Sequence, residues 1–419
     1  MTTPDGGLFE MIALVGALVI ASTLVRLGLD GVRLPPVAGY ILLGLGLSLV
    51  DYRLGLLSTD HRHALEVLAG LGVVVLLFRV GLESTPTKLV RQLPKAAFGL
   101  IGSVVPSALL GYGAARFLLG TSPVAALFVA TALTATSVAV SLAPWREAGA
   151  LDSDAGTLLL DLAELDDVTG ILLMAVLLGL VPLIAEGGTG VLPRLGVVVA
   201  WLLAGLAGLL ALCVLVGRYA EARLTAWLRE RGGVPDVVLV IGGLGLVIAA
   251  LAGWLGFSLA IGGFFAGLAF SGDPGRTAID RGFGTLFEFL TPFFFIGIGL
   301  AVDIGVAGRA LGVGAVLLVV AVAGKVLGGL AVVRAVGWTG GLLIGVSMVP
   351  RAEIAMIIMA EGRRLGAWAV PDELFSGMVV VSLGTSVLAA VATPLLLARP
   401  RESGAGGGPT RTPREKGNA

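Results

Sequence analysis

A chain of 419 residues that is 57% hydrophobic and only 13% charged, with a mean hydropathy of +1.00, cannot cover so apolar a core with its own charged side chains. A soluble protein carries about 25% charge, so lipid must cover the rest. Lys plus Arg and Asp plus Glu balance at 28 each, which leaves no net field that would point to nucleic acid.

The first apolar run is preceded by Asp5 and Glu10 and by no Lys or Arg. A secretory signal opens on a basic stretch, so this run is predicted to be a retained span. A span needs about 20 apolar residues. Cutting at the polar loops predicts about thirteen spans, near 8–29, 35–51, 64–83, 94–118, 122–143, 155–185, 195–221, 236–252, 255–271, 285–303, 310–333, 339–361 and 374–398. Gly253 to Gly256 reads as a tight turn between the eighth and ninth. His61 and His63 fall in a loop and are expected to be solvated. Cys213 lies alone in an apolar run and reads as a small core residue. From Arg399 to Ala419 the composition turns to Gly, Pro, Arg, Glu and Lys, which predicts a disordered tail (399–419) and no soluble regulatory domain.

An odd number of spans puts the termini on opposite sides. Lys88, Arg91 and Lys95, and then Arg218, Arg223, Arg229 and Arg231, crowd loops of one side. The positive-inside rule makes that side cytoplasmic, which predicts an outer N-terminus, a cytoplasmic C-terminus and a multi-pass protein of the cell's inner (plasma) membrane. The spans divide as six, a linker and six: a transmembrane domain over 1–398, with halves at about 8–185 and 236–398 and a linker helix at 195–221. The odd linker sends the second half into the membrane from the other side, as an inverted repeat requires. The fifth span of each half is interrupted. TALTATSVAVSLAP carries Thr131, Thr134, Thr136 and Ser137, with Pro144 near its end, and GVSMVPRAEIAM has Pro350 in mid-span. Matching breaks in two halves point to the site of a transporter.

The sixth span contains Asp161, Glu164, Asp166 and Asp167. Each carboxylate costs about 2.5–3.5 kcal/mol at mid-bilayer, so none is expected to face lipid. If the span begins near residue 156, Asp167 lies roughly 16 Å deep at about 1.5 Å per residue, half of a roughly 30 Å core. The same estimate puts Lys325, the Thr134–Ser137 stretch and the Pro350–Arg351 break at that depth. Broken helices expose carbonyls and half-helix dipoles that neutralise charge or coordinate a cation. Carboxylates are hard oxygen ligands for Na⁺ or H⁺. Adjacent aspartates repel when both are ionised, so the pair is suited to trading protons for a cation. Asp166, Asp167, Thr134, Thr136 and Ser137 are therefore the candidate ion and proton ligands, with Asp167 and Asp166 holding Na⁺. Lys325, Glu164, Arg351 and Glu353 are the candidate charge-compensating groups. Glu164 and Asp167, three apart, share a face, and Asp161 lies toward the cytoplasm as a candidate access funnel. Arg79, Glu83, Glu288 and Asp303, near span ends, read as snorkelling or packing residues, with Arg79 and Glu83 spaced to pair. Arg351 and Glu353 also admit a purely structural pairing. The sequence holds no Walker motif, and nothing in it predicts an enzyme or a cofactor.

These residues carry a resemblance. LPPVAGYILLGLGL, LAGLGVVVLLFRVGLE, TALTATSVAVSL, LDDVTGILL, IGGFFAGLAF, PFFFIGIGLAVD, GKVLGG and MVPRAEIAMIIMAEG occur in the order found in the cation:proton antiporter-2 family. Over about 33–398 the chain is similar to its bacterial Na⁺/H⁺ antiporter branch. The resemblance implies an all-α fold with a core domain, a dimerisation domain and two crossed, unwound spans, moving as an elevator. It implies a homodimer with the first and eighth spans near its interface, where Gly16, Ala17, Ala21, Gly242, Gly243 and Gly245 permit close approach. It also implies that Asp167 is the ion ligand and proton carrier, and that Asp166 pairs with Lys325. An aspartate pair with this lysine resembles the electrogenic branch. Relatives that carry K⁺ often have a soluble nucleotide-binding domain after the last span, so the short tail favours Na⁺ over K⁺, with Li⁺ a further candidate. Arg79, Asp161 and Glu164 depart from the family pattern. A channel or a non-transporting sensor is the alternative of another class, but no ring of pore-lining charges repeats along the chain.

Overall fold

The computed structural model describes residues 6–31, 34–84, 86–185, 191–216, 227, 230, 234–271 and 276–398. The predicted tail at 399–419 and the cationic loop residues Arg218, Arg223, Arg229 and Arg231 lie outside them. The described chain is helical: α1 (Gly6–Asp30), α2 (Pro36–Leu54), α3 (Thr59–Glu83), α4 (Pro86–Gly113, continued by a π-turn, Ala114–Leu118), α5 (Pro123–Thr134), α6 (Val138–Glu147), α7 (Asp154–Ala185), α8 (Val191–Leu215), α9 (Val234–Trp254), α10 (Leu259–Ala269), α11 (Arg276–Leu300), α12 (Ala307–Leu330), α13 (Val333–Ser347), α14 (Glu353–Arg364) and α15 (Asp372–Leu397). Nine helical stretches among the described residues are long and apolar enough to cross a membrane.

Local chemistry sets the helix starts. The Ser122 hydroxyl accepts from the Ala125 amide at 3.1 Å, and Pro123 at the first helical position has no orphan N–H to satisfy. Ser258 caps α10 through the Ile261 amide at 3.3 Å. Ser58 caps α3 in a capping box completed by His61. That histidine is 7% exposed, so burial and the cap correct the expectation that it is solvated, whereas His63 is exposed. Cys213 is buried and its thiol donates to the Phe265 carbonyl.

The helices pack as two bundles. One holds α1, α2, α3, α9, α10 and α11, with α8 leaning on α10; the other holds α4 to α7 and α12 to α15. Among the described residues, sparse packing, chiefly α2 against α15, joins them beyond the α7–α8 chain connection. Packing partners recur between the halves. α2 packs on α11 as α10 does on α3, and α4 packs on α5 as α12 does on α13.

Glycine makes the first of these correspondences possible. A Cβ on Gly44 would sit 2.0 Å from the Ile296 carbonyl oxygen, and one on Gly299 2.1 Å from that of Ile41. At the equivalent crossing, Gly81 and Gly267 would place theirs 2.0 Å and 1.9 Å from the carbonyls of Phe264 and Phe78. Backbones this close exclude any side chain. The same spacing is written twice in the sequence: Gly39 and Gly44 in AGYILLGL, and Gly262 and Gly267 in IGGFFAGL. Span counting alone does not reveal this trace of the repeat.

Candidate functional site

The two breaks meet inside the second bundle. α5 ends at Thr134, Ala135 is extended (φ −66°, ψ 143°) and α6 resumes after Ser137. α13 ends at Ser347, and α14 starts at Glu353. Pro350 has no N–H to continue the second helix. In the first break, hydroxyls compete for the backbone, and Thr134 turns its own onto the Thr131 carbonyl at 2.7 Å. The breaks are tied together. The Ser137 amide donates to the Pro350 carbonyl at 3.0 Å, and the Trp145 indole donates to Ser347 Oγ at 2.9 Å.

Each half-helix C-terminus faces a cation. Lys325 Nζ, its side chain 0% exposed, donates to the Thr134 carbonyl at 2.7 Å, to Ser103 Oγ at 2.6 Å and to Asp166 Oδ2 at 2.8 Å. The guanidinium of Arg351, also fully buried, donates to the carbonyls of Met348 (2.9 Å) and Pro350 (3.1 Å). Both cations thus sit on the negative ends of broken helices. Arg351 was expected to compensate charge or to pair with Glu353. Its hydrogen bonds go to the carbonyls freed by the break, and no ion pair joins it to Glu353 among the described residues.

Small residues bring Lys325 to its place. A Cβ on Gly324 would lie 2.9 Å from Ser107 Cα, and one on Gly328 2.8 Å from Ser103 Cα, so α12 presses on α4 along the serine stripe. Ser103 is a site residue that the pattern of acids did not reveal. The matched spacing Ser103–Ser107 and Gly324–Gly328 is the signal that would have found it.

The aspartates differ. Asp166 Oδ2 also accepts from Thr136 Oγ1 at 2.5 Å, so this oxygen is committed to protein partners, while Oδ1 is buried and unbonded. Asp167 is 8% exposed, and its Oδ1 has no hydrogen-bond partner. Its charged surroundings comprise Glu353, Asp166, Lys325 and Glu83. No cluster of three acidic, imidazole or thiol side chains converges among the described residues. A cation at Asp167 would therefore complete its shell from hydroxyls, free carbonyls and water, a donor set that suits Na⁺ and permits release.

Two cavities lie between the bundles, at opposite ends of the seam. One, of about 240 Å³, is lined by Pro35 and Val37 of the first bundle and by Val140, Glu147, Glu353 and Pro394 of the second. The other, of about 430 Å³, is lined by Arg62, Ala69 and Ala301 on one side and by Ala360, Arg363 and Phe375 on the other. Helix α14 runs from one to the other. The acids at the first cavity are Glu353 and Glu147. Asp161, the expected funnel, accepts instead from Gln92 of α4 and lines neither cavity. Glu164 is half-buried, one turn from Asp161 on α7. Arg79 pairs with Glu83 at 3.2 Å and stacks 4.5 Å over Phe287. Glu288 pairs with Arg26 at 3.2 Å, and Asp303 accepts from the Gly305 amide at 2.7 Å.

Comparisons with known proteins agree with this architecture. The profile of a family described as "Sodium/hydrogen exchanger, transmembrane" matches residues 14–399. The chain is 27% identical over 307 residues to the high-affinity Na⁺/H⁺ antiporter NhaS3 of Synechocystis sp., covering 72% of this chain and 65% of that protein. It is 31% identical over 304 residues to the glutathione-regulated potassium-efflux system protein KefC of Enterobacter sp., covering 70% of this chain and 45% of that protein. The match thus spans less than two thirds of either relative. The fold matches the solved structure of the sodium proton antiporter MjNhaP1 from Methanocaldococcus jannaschii with a TM-score of 0.72. That match has 17% sequence identity and covers 93% of this chain and 98% of that one.

Proposed function

The chain belongs to the sodium/hydrogen exchanger family, and on that premise we propose that it exchanges a monovalent cation, Na⁺ first among them, for protons by alternating access. The single observation that carries the proposal is the division of labour between adjacent aspartates. Asp166 holds Lys325 and Thr136 through Oδ2 and leaves Oδ1 unbonded, while Asp167, buried with an unbonded Oδ1 as well, anchors no cationic side chain among the described residues. Such an oxygen is costly unless something binds it, and a proton or a bare cation are the two candidates. The surrounding carboxylates of Asp166, Asp167 and Glu353 face the cations Lys325 and Arg351. Glu83 is already paired with Arg79, so with these five ionised the site lacks one positive charge, which one monovalent cation supplies.

The two seam cavities fit this reading, since each gives one end of the seam its own approach toward the site. In the proposal, the bundle holding α4 to α7 and α12 to α15 carries the cation and moves against the other. The protein works as a homodimer in the plasma membrane, N-terminus outside, and exchange is electrogenic, in keeping with the lysine-paired first aspartate. K⁺ is the second candidate cation, because potassium-efflux proteins are among the relatives. The test is flux into proteoliposomes with Na⁺, K⁺ and Li⁺ in turn, followed with an internal pH dye and an imposed membrane potential. Proton movement driven by none of the three would refute the proposal; movement driven by K⁺ alone would replace Na⁺.

A further inference from the structure

The two ends of the seam are built differently. At the Glu353 end the cavity reaches an acid that belongs to the surroundings of Asp167. At the other end the lining of the cavity includes none of the charged neighbours of Asp167, and a side chain spans the seam. Arg363, at the end of α14, donates from Nη1 to the carbonyl of Ala301. That carbonyl lies just beyond the last turn of α11, where helix acceptors have no partner of their own. Arg363 is held from its own side as well. Its Nη2 lies 2.8 Å from Asp372 Oδ1, and its guanidinium stacks 4.7 Å over the Phe375 ring. The residue is therefore braced within one bundle and bonded to the other. Glu353 and Arg363 are the two ends of one rigid half-helix, roughly 15 Å apart at about 1.5 Å per residue. A shift of α14 that changes one end must change the other.

We propose that Arg363 is a positioning residue for the exchange: its bond to the Ala301 carbonyl latches the seam at the Arg363 end and so keeps the site open toward the Glu353 end. The proposal rests on the alternating-access reading. It adds the residue that sets the balance between the two openings. A hydrogen bond from a charged donor is strong enough that its loss shifts a two-state balance by about tenfold. The bond must break whenever the bundles part at this end. Arg363 therefore acts through the position of α14 and touches neither cation nor proton.

The test is the reactivity of two reporters in the full chain, reconstituted in liposomes with Cys213→Ser to remove the native thiol. Ala360→Cys reports the Arg363 cavity and Val140→Cys reports the Glu353 cavity, each read with a membrane-impermeant maleimide presented from its own side. Replacing Arg363→Gln should raise labelling at Ala360→Cys about tenfold and lower it at Val140→Cys. Arg363→Lys, which keeps a cationic donor, should restore most of the parental pattern. Asp372→Asn loosens the brace and should shift both reporters in the same sense by a smaller factor; it decides the matter if Arg363→Gln does not fold. Unchanged labelling at both reporters, or a rise at both, would overturn the latch, since a merely loosened fold exposes both ends together. Antiport is measured on the same vesicles. A parent chain without antiport would refute the proposed function, and the labelling would still decide the latch.

Discussion

Lys325 Nζ stands 2.8 Å from Asp166 Oδ2 and 2.7 Å from the Thr134 carbonyl, so a single ammonium completes an ion pair and closes the end of a broken helix. Both side chains of the pair are 0% exposed. Breaking such a pair by removing one partner leaves a buried, uncompensated charge and typically costs about 3–5 kcal/mol, whereas removing both costs less. Lys325→Ala should therefore lower the melting temperature in detergent more than Lys325→Ala combined with Asp166→Asn. Strictly additive losses in this double-mutant cycle would show that the pair is not coupled. Ser103→Ala removes the third partner of the ammonium and should cost less, about 1–2 kcal/mol.

Asp167→Asn keeps the side-chain shape and removes the titrating, cation-binding oxygen. Cation-driven proton movement should fall to background in vesicles, while the melting temperature stays close to that of the parent. Asp167 is buried with an unbonded Oδ1 and, unlike Asp166, anchors no cation among the described residues, so its loss leaves no partner stranded. Parental exchange in this variant would remove Asp167 from the transport path.

Glu353 lines the smaller cavity and shares the surroundings of Asp167. In the proposed exchange it stands on the way in from that end. Glu353→Gln should raise the apparent KM for the cation presented from that side by about tenfold, the weight of one charged contact, and should change it less from the other side. Glu353→Asp should fall between. Asp161→Asn, which alters the contact with Gln92 away from both seam cavities, should leave the KM within about twofold.

Much of this was legible in the residues. Carboxylates are too costly in lipid to be accidental, so Asp166, Asp167 and Lys325 announce themselves, and Pro350 marks its break by lacking an N–H. The partner of Arg351 was not legible. A guanidinium beside a glutamate in sequence suggests an ion pair, but the carbonyls freed by the break are nearer and need a donor. The contact of Asp161 with Gln92 was hidden for a related reason. Depth along α7 follows from residue count, but the direction a side chain faces depends on α4, through Gln92. Ser103 and the crossing glycines were hidden because small residues are common in spans and acquire meaning only when the opposing backbone is known.

The glycine crossings predict a sharp contrast in stability. Gly267→Ala would drive a methyl group to 1.9 Å from the Phe78 carbonyl oxygen, and Gly44→Ala one to 2.0 Å from that of Ile296. Neither backbone can yield without parting the helices, so each should cost at least the 1–3 kcal/mol usual for overpacking, or about that in the mildest case. Gly243 has nothing within 4 Å of the same built position. Gly243→Ala should leave the melting temperature unchanged. A similar loss in all three would mean that helix propensity or expression, and not close approach, governs the result.

The same geometry narrows the expected dimer contact. Six small residues on the first and eighth spans were candidates, and the structure separates them. A Cβ on Gly245 would meet the Phe78 ring at 2.9 Å, and one on Gly242 the Phe283 ring at 3.3 Å, so these two serve packing within the protomer. Gly16 and Gly243 have open surroundings, and Ala17 is exposed. Helix α1 carries Gly16 and Ala17 on a largely uncovered surface: only 11% of its most apolar stretch is buried inside the protomer. Its exposed face also includes Ile12, Ile20 and Leu24. Lipid can cover such a face, but small residues gain from a second helix what they cannot gain from acyl chains, because they let backbones approach. Gly16→Cys and Ala17→Cys should therefore cross-link between protomers in the membrane under mild oxidation, in a Cys213→Ser background. Gly245→Cys should not, because its side faces the aromatic rings of its own chain. Cross-linking at Gly245 with none at Gly16 or Ala17 would move the interface away from the exposed face of α1. The absence of cross-links at all three, with monomers in mild detergent, would argue that α1 meets lipid alone.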